Sequence, residues 1–150
     1  MYVRDLMSRE IVTLEAGDHL DLAEDIMRLG RIRHLPVVSG ERLVGILSQR
    51  DLFRAAVSSL LQLGGEAERK WLATIAVRSV MTPGVYTVGP ELPIRTAVGI
   101  MIDRRIGCLP VIENGKLIGL LSESDCLTHL AHLLDLAGGR EALPELGSRA

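Results

Sequence analysis

The chain matches itself when displaced by about 74 residues, and a fixed-period match of this kind marks a structural unit that is built twice. Val3-Arg4-Asp5-Leu6-Met7-Ser8 falls on Val77-Arg78-Ser79-Val80-Met81-Thr82, and Ile32-Arg33-His34-Leu35-Pro36-Val37-Val38 on Ile106-Gly107-Cys108-Leu109-Pro110-Val111-Ile112. The same register continues through Leu43-Val44-Gly45-Ile46-Leu47-Ser48-Gln49-Arg50-Asp51 and Leu117-Ile118-Gly119-Leu120-Leu121-Ser122-Glu123-Ser124-Asp125. A unit of about 55 residues buries too small a share of its surface to be secure alone. The two copies are therefore expected to pack as a pseudo-two-fold pair, with function in the clefts between them.

Within each copy the periodicity changes in a fixed order. Ile11-Val12-Thr13-Leu14 and Val85-Tyr86-Thr87-Val88 are β-branched runs that predict a strand. Leu20, Ala23, Ile26 and Met27, matched by Ile94, Ala97, Ile100 and Met101, fall at helical spacing, and Gly30 marks a helix end. His34 to Val38 and Leu43 to Leu47 predict a hairpin around Ser39-Gly40-Glu41-Arg42; the second copy turns on Glu113-Asn114-Gly115-Lys116, where Asn-Gly is a strong hairpin signal. A second helix follows from Ser48 or Ser122, with Leu52, Phe53, Ala56 and Val57, or Leu127, Leu130, Leu133 and Leu134, expected to be buried. The predicted class is α+β, made of α/β-type repeats, each strand-helix-strand-strand-helix. Residues 1–62 form the first repeat, 63–76 a linker and 77–134 the second repeat; 135–150 read as a weakly ordered tail. Glu66 to Leu72 in the linker reads as a helix, with Trp71 and Leu72 packed on the pair.

Composition limits the chemistry. Hydrophobic residues make up 47% and aromatics 3%, so the core is built from aliphatic side chains and Met, including the repeated Met7/Met81 and Met27/Met101. Lys plus Arg number 17 against 19 acidic residues, a net charge of -2 that supplies no global field for nucleic acid or an anionic membrane; neither is expected as a partner. The N-terminus has no basic stretch leading into an apolar one, so a cytoplasmic location is expected. Cys108 and Cys126 form no CxxC pair and read as small apolar core residues. His129 and His132, with Asp125 one turn before, read as a solvated helix face rather than a metal site. Arg28, Arg31, Arg33 and His34 form a basic cluster placed beside the first cleft. No nucleophile, base and orienting group can be assembled, and there is no Walker-type loop, so an enzyme is not expected.

The polar constellation is Gly-x-x-Ser-x-x-Asp, present at Gly45, Ser48 and Asp51 and again at Gly119, Ser122 and Asp125. An apolar strand runs through Gly into a helix start, where free N–H groups and the positive dipole end favour a phosphate. The Ser hydroxyl can donate to a phosphate oxygen, Arg50 can neutralise it, and Asp51 can accept from both ribose hydroxyls. The same Ser-x-x-Asp pattern can equally cap the helix.

With Leu-Pro-Val-Val and Leu-Pro-Val-Ile before the hairpins and Gly-x-x-Ser-x-x-Asp after them, the chain resembles a pair of cystathionine-β-synthase (CBS) domains, a Bateman module, over about residues 1–134. The resemblance implies two equivalent clefts, a homodimer formed through the helices, and a regulatory role. It also implies an adenosine ligand such as AMP, ADP, ATP or S-adenosylmethionine, no obligatory cofactor, and a signal passed in trans to an effector protein. Carried over by position, one cleft uses Ser48, Arg50 and Asp51, with the adenine near Val85, Tyr86 and Ile106. The other uses Ser122 and Asp125, with Ile11, Val12 and Ile32 around the base. There Ser124 replaces Arg50, so a cation must come from Arg33 across the interface, and the Ser48/Asp51 cleft is expected to be the better phosphate site. The alternative is a dimerisation or docking module with degenerate clefts.

Overall fold

The computed structural model describes residues 1–58 and 65–138; the segment 59–64 and most of the expected tail, 139–150, lie outside the described residues. In the first repeat the elements are α1 (Val3–Leu6), β1 (Leu14–Glu15), α2 (Leu20–Gly30), β2 (His34–Ser39), β3 (Arg42–Ser48) and α3 (Gln49–Ser58). The linker contributes α4 (Glu66–Leu72), and the second repeat opens with one 3-10 turn (Val77–Ser79) before β4 (Thr82–Pro83), α5 (Ile94–Arg104), β5 (Cys108–Glu113), β6 (Lys116–Ser122) and α6 (Glu123–Gly138). Helix α6 thus continues beyond position 134.

Turn chemistry sets the two hairpins. Asn114 and Gly115 both adopt positive φ, 50° and 80°, the backbone twist that joins right-twisted strands in two residues. Gly40, at φ 62°, serves the first hairpin. Both hairpins carry an irregularity at the same repeat position, Val37/Val38 and Val111/Ile112. Helices α2 and α5 stop alike, on an arginine in the left-handed conformation, Arg31 at φ 52° and Arg105 at φ 53°.

The extended runs before α2 and α5 pair less than predicted. Only Leu14 and Glu15 form β1, parallel to Val37 and Val38, and in the second repeat the strand shrinks to one bridge, Val88 to Val111. Ile11 to Thr13 and Val85 to Thr87 lie outside strands, because their chain is crossing from one repeat to the other at that point.

That crossing is the organising feature of the fold. The leading arm of each repeat docks on the other repeat. The Val3 N–H donates to the Leu92 carbonyl (2.9 Å) and that of Arg4 to Pro90 (3.0 Å); in the mirrored contacts Val77 donates to Asp18 (2.7 Å) and Arg78 to Ala16 (3.1 Å). Each arm then pairs with the third strand of its host: Ser8 with Leu120, and β4 with β3, giving the sheet order β1-β2-β3-β4. Gly45 and Gly119 make this approach possible, since a Cβ at either would lie 2.6 Å from the sulfur of Met81 or Met7. The cores are built accordingly. One holds Leu14, Leu20, Leu35, Val37 and Leu47 together with Val77 of the visiting arm, and the other holds Ala97, Met101, Leu109, Val111 and Leu121 together with Val3 and Met7.

Helices α2 and α5 bury the predicted faces, Leu20, Ala23 and Met27, and Ala97 and Met101. The final helices do not. Leu52 is buried and Ala56 half-buried, but Phe53 is 67% exposed and Val57 is exposed; Leu127, at 63%, and Leu130, Leu133 and Leu134 all face outward. Helical periodicity identifies an apolar face without identifying what covers it, and here the repeat's own core is not that cover. In α4, Leu72 enters the first core while Trp71 remains 43% exposed. Asp25 of α2 holds α4 through two bonds from Arg69 (2.7 and 3.0 Å), with Arg28 adding a third (3.1 Å). These arginine hydrogen bonds, Arg69 first, draw the Asp25 carboxyl down to about 2.

Candidate functional site

The strand-to-helix turns β3–α3 and β6–α6 are built identically. The Ser48 backbone N–H (2.9 Å) and hydroxyl (2.6 Å) both donate to Asp51 Oδ2, and the Asp51 N–H donates back to Ser48 Oγ (3.1 Å). The corresponding distances at Ser122 and Asp125 are 2.7, 2.6 and 3.3 Å. These are reciprocal helix caps. Each commits one carboxylate oxygen, and the other oxygen remains available as an acceptor for a sugar hydroxyl.

The backbone ahead of each hairpin runs past these helix starts. The Gln49 N–H donates to the Arg33 carbonyl (2.9 Å), and that of Glu123 to the Gly107 carbonyl (3.0 Å). Arg33 therefore stands at the first helix start by its backbone, while its Nη2 reaches across to the second and donates to Ser124 Oγ at 2.9 Å.

A cavity of about 220 Å³ opens at this crossing. Its apolar wall is Ile11, Val12 and Ile32 from the first repeat, and facing them across the cavity are Ser122, Ser124 and Asp125 from the second. All six residues expected for this cleft, Ser122, Asp125, Ile11, Val12, Ile32 and Arg33, line the one cavity. Of the basic cluster expected beside the first cleft, Arg31 and His34 line this cavity together with Arg33, and Arg28 is turned away onto Asp25. The reason is the crossing: residues 31–34 belong to the first repeat by sequence but line the second repeat's helix start. Sequence reasoning missed Glu10, Ser8, Leu120 and Gly107. Glu10 follows the arm that pairs Ser8 with Leu120, and no local pattern announces that pairing.

The residues expected for the other cleft are placed less uniformly. Ser48 and Asp51 are half-buried in their cap, and Arg50 is exposed as the second residue of α3. Tyr86 is exposed, with the Arg104 guanidinium 5.0 Å from its ring centroid. Ile106 packs on the second core. Val85 lines a different cavity, of about 470 Å³, where the chain after Gly84 leaves the outer edge of β3 near Arg42 and Leu43.

The two clefts differ in where their cation comes from. Position 33 is Arg and its counterpart 107 is Gly; position 50 is Arg and its counterpart 124 is Ser. The second helix start thus receives Arg33 from the strand entry of the first repeat, while the first helix start carries Arg50 on its own helix. The space a side chain at 107 would occupy is taken by His34, whose Cε1 lies 2.9 Å from where a Cβ would stand. Burial, followed by the charge of Arg33, lowers the His34 pKa; Glu123 and Asp51 oppose the shift and Arg50 adds to it.

Burial pushes Cys108 up to about 12 and raises Cys126, which disfavours the thiolate at both. Among the described residues no three His, Cys, Asp or Glu side chains are grouped to hold a metal. His129 is half-buried and His132 exposed. No described helix is long and apolar enough to cross a membrane.

Comparison with known proteins gives one consistent answer. The CBS domain family matches residues 3–58 and 77–132. A CBS domain-containing protein of Dictyostelium discoideum is 33% identical over 89% of this chain and 93% of its own length. An inosine-5'-monophosphate dehydrogenase of Korarchaeum cryptofilum is 35% identical over 83% of this chain, which spans only 23% of that enzyme's length. Among solved structures, a putative acetoin utilization protein from Vibrio cholerae superimposes with a TM-score of 0.76 at 33% identity, covering 95% of this chain and 98% of that one. Two more distant structures share the fold. The CBS domain pair of protein MJ0100, in complex with 5'-methylthioadenosine and S-adenosylmethionine, has a TM-score of 0.75 at 21% identity and covers 89% and 98% of the two chains. CBSX2 in complex with AMP has a TM-score of 0.72 at 22% identity, covering 88% and 97%.

Proposed function

The chain belongs to the CBS domain family as a tandem pair, and from that membership we propose that it is a regulatory module that binds an adenosine compound between its repeats and signals in trans to an effector protein. The observation that carries the reading is the 220 Å³ cavity, in which an apolar wall from one repeat faces a serine, a carboxylate and an arginine converging from both. Ile11, Val12 and Ile32 suit the flat faces of a purine, the uncommitted oxygen of Asp125 the ribose hydroxyls, and Arg33 a phosphate. That AMP and S-adenosylmethionine occupy other CBS pairs supports the same ligand class. The leucines outside α6, with Phe53 and Val57 on α3, supply the face through which two copies associate. A ligand that binds one arrangement of repeats or protomers better than another shifts the population toward it, which is sufficient for regulation.

A thermal-shift panel of AMP, ADP, ATP, S-adenosylmethionine and GTP on wild type, Asp125→Ala and Asp51→Ala tests this. A ligand at about 100 times its Kd stabilises the native state by about 2.7 kcal/mol. The expected result is an adenosine-specific shift lost in Asp125→Ala. No shift with any compound would overturn the reading in favour of an interaction module. One observation favours that second reading: reciprocal capping already accounts for both Ser-Asp pairs.

A further inference from the structure

His34 lines the Ser122/Asp125 cavity, its ring edge is seated against Gly107, and in the β2–β3 ladder its partner is Ser48, the cap residue of the other helix start. We propose that a proton on His34 and a phosphate-bearing ligand in the Ser122/Asp125 cavity bind cooperatively. The inference rests on the cleft reading above and adds to it a regulating ion.

The charges around the ring decide the sign. From its own segment Arg31 and Arg33 share the cavity with it; from α3 it meets Arg50 and Asp51; from α6, Glu123, whose carboxylate lies beside the same Gly107 seat. Glu10 and Asp125 complete the cavity's charged lining. Burial first, and then the charge of Arg33, lowers the ring's pKa and disfavours its protonated form. A phosphate drawn to Arg33 supplies the negative charge that a protonated ring needs, so binding takes up a proton. By linkage the same ligand binds more tightly as pH falls.

The test is calorimetry of AMP and of adenosine at pH 8 and pH 6, each in two buffers of different ionisation heat, on wild type and His34→Gln. Wild type is expected to take up protons on binding AMP and not on binding adenosine, with an AMP affinity that rises as pH falls, by up to about tenfold for each unit by which the ring's pKa rises. His34→Gln, whatever its affinity at pH 8, is expected to lose the gain between pH 8 and pH 6. The titration of the AMP phosphate itself, near pH 6, is common to both proteins and cancels in their comparison. An NMR titration of the wild-type imidazole with and without AMP requires no variant to fold, and a ring pKa that does not rise on binding would overturn the proposal. So would equal proton uptake by His34→Gln, which leaves the cleft reading intact. Absence of AMP binding to wild type at both pH values overturns the phosphate-ligand reading and the coupling with it, whereas a shift with S-adenosylmethionine alone removes only the coupling.

Discussion

The two repeats have the same backbone and different cleft linings, and the differences are paired. Where the first repeat has Arg33 the second has Gly107, and where the first has Arg50 the second has Ser124. Gly107 and Ser124 both line the Ser122/Asp125 cavity, and the arginine there is Arg33, which reaches over from the first repeat to donate to Ser124. The helix start that lacks an arginine at the position of Arg50 is thus served by an arginine of the other repeat.

The largest test of this equivalence concerns the exchanged arms. Val3→Ala and Val77→Ala each empty a fully buried site and are expected to cost about 2 kcal/mol by urea denaturation. Hydrogen exchange should then show the damage in the repeat that does not carry the substitution, with faster exchange around Ala97 and Leu121 for Val3→Ala and around Ala23 and Leu47 for Val77→Ala. Faster exchange confined to the mutated repeat would break the comparison.

The caps come next. Ser48→Ala and Ser122→Ala each remove the same set of bonds, so both should lose about 1 kcal/mol, read as matched drops in melting temperature. A marked inequality would mean that one Ser-Asp pair carries strain for a ligand that the other does not.

The smallest effect belongs to a feature without a counterpart. Asp25 binds Arg69 of the linker, and position 99, its equivalent, is Gly. Since folding lowers the Asp25 carboxyl from 3.8 to about 2, its contribution is complete above pH 3.8 and disappears as pH falls through about 2. Wild type should exceed Asp25→Asn by a constant small margin from pH 5 to 7, and the two should converge at about pH 2. Parallel curves down to that pH would show that the linker clasp contributes nothing.

Much of this architecture is legible in one sequence because the repeat displays it twice. The hairpins follow from Asn114-Gly115 and the flanking apolar runs, the inner helix faces from Leu20, Ala23 and Met27, and the expected cleft partners of Ser122 from the resemblance to CBS pairs. Three things are not legible, each for a physical reason. The arm exchange depends on backbone bonds between residues far apart in the chain, such as Val3 to Leu92, which leave no local periodicity. The outward leucines of α6 have the spacing of core residues, and spacing carries no information about what covers them. The placement of Arg31 and His34 on the second cavity follows from tertiary crossing, so proximity in sequence to the first helix start points to the wrong cleft.

The exchanged arms also bear on what a single unit could do. One copy of this repeat carries an arm it cannot use and a seat it cannot fill, so alone it closes only by trading arms with a second molecule, at a rate and yield set by concentration. Joining two copies in one chain makes that trade intramolecular, so that it no longer depends on the protein's concentration. Cleaving the chain within the linker should return it to the concentration-dependent regime. The connection between the repeats is therefore a thermodynamic element of the fold as well as a covalent one.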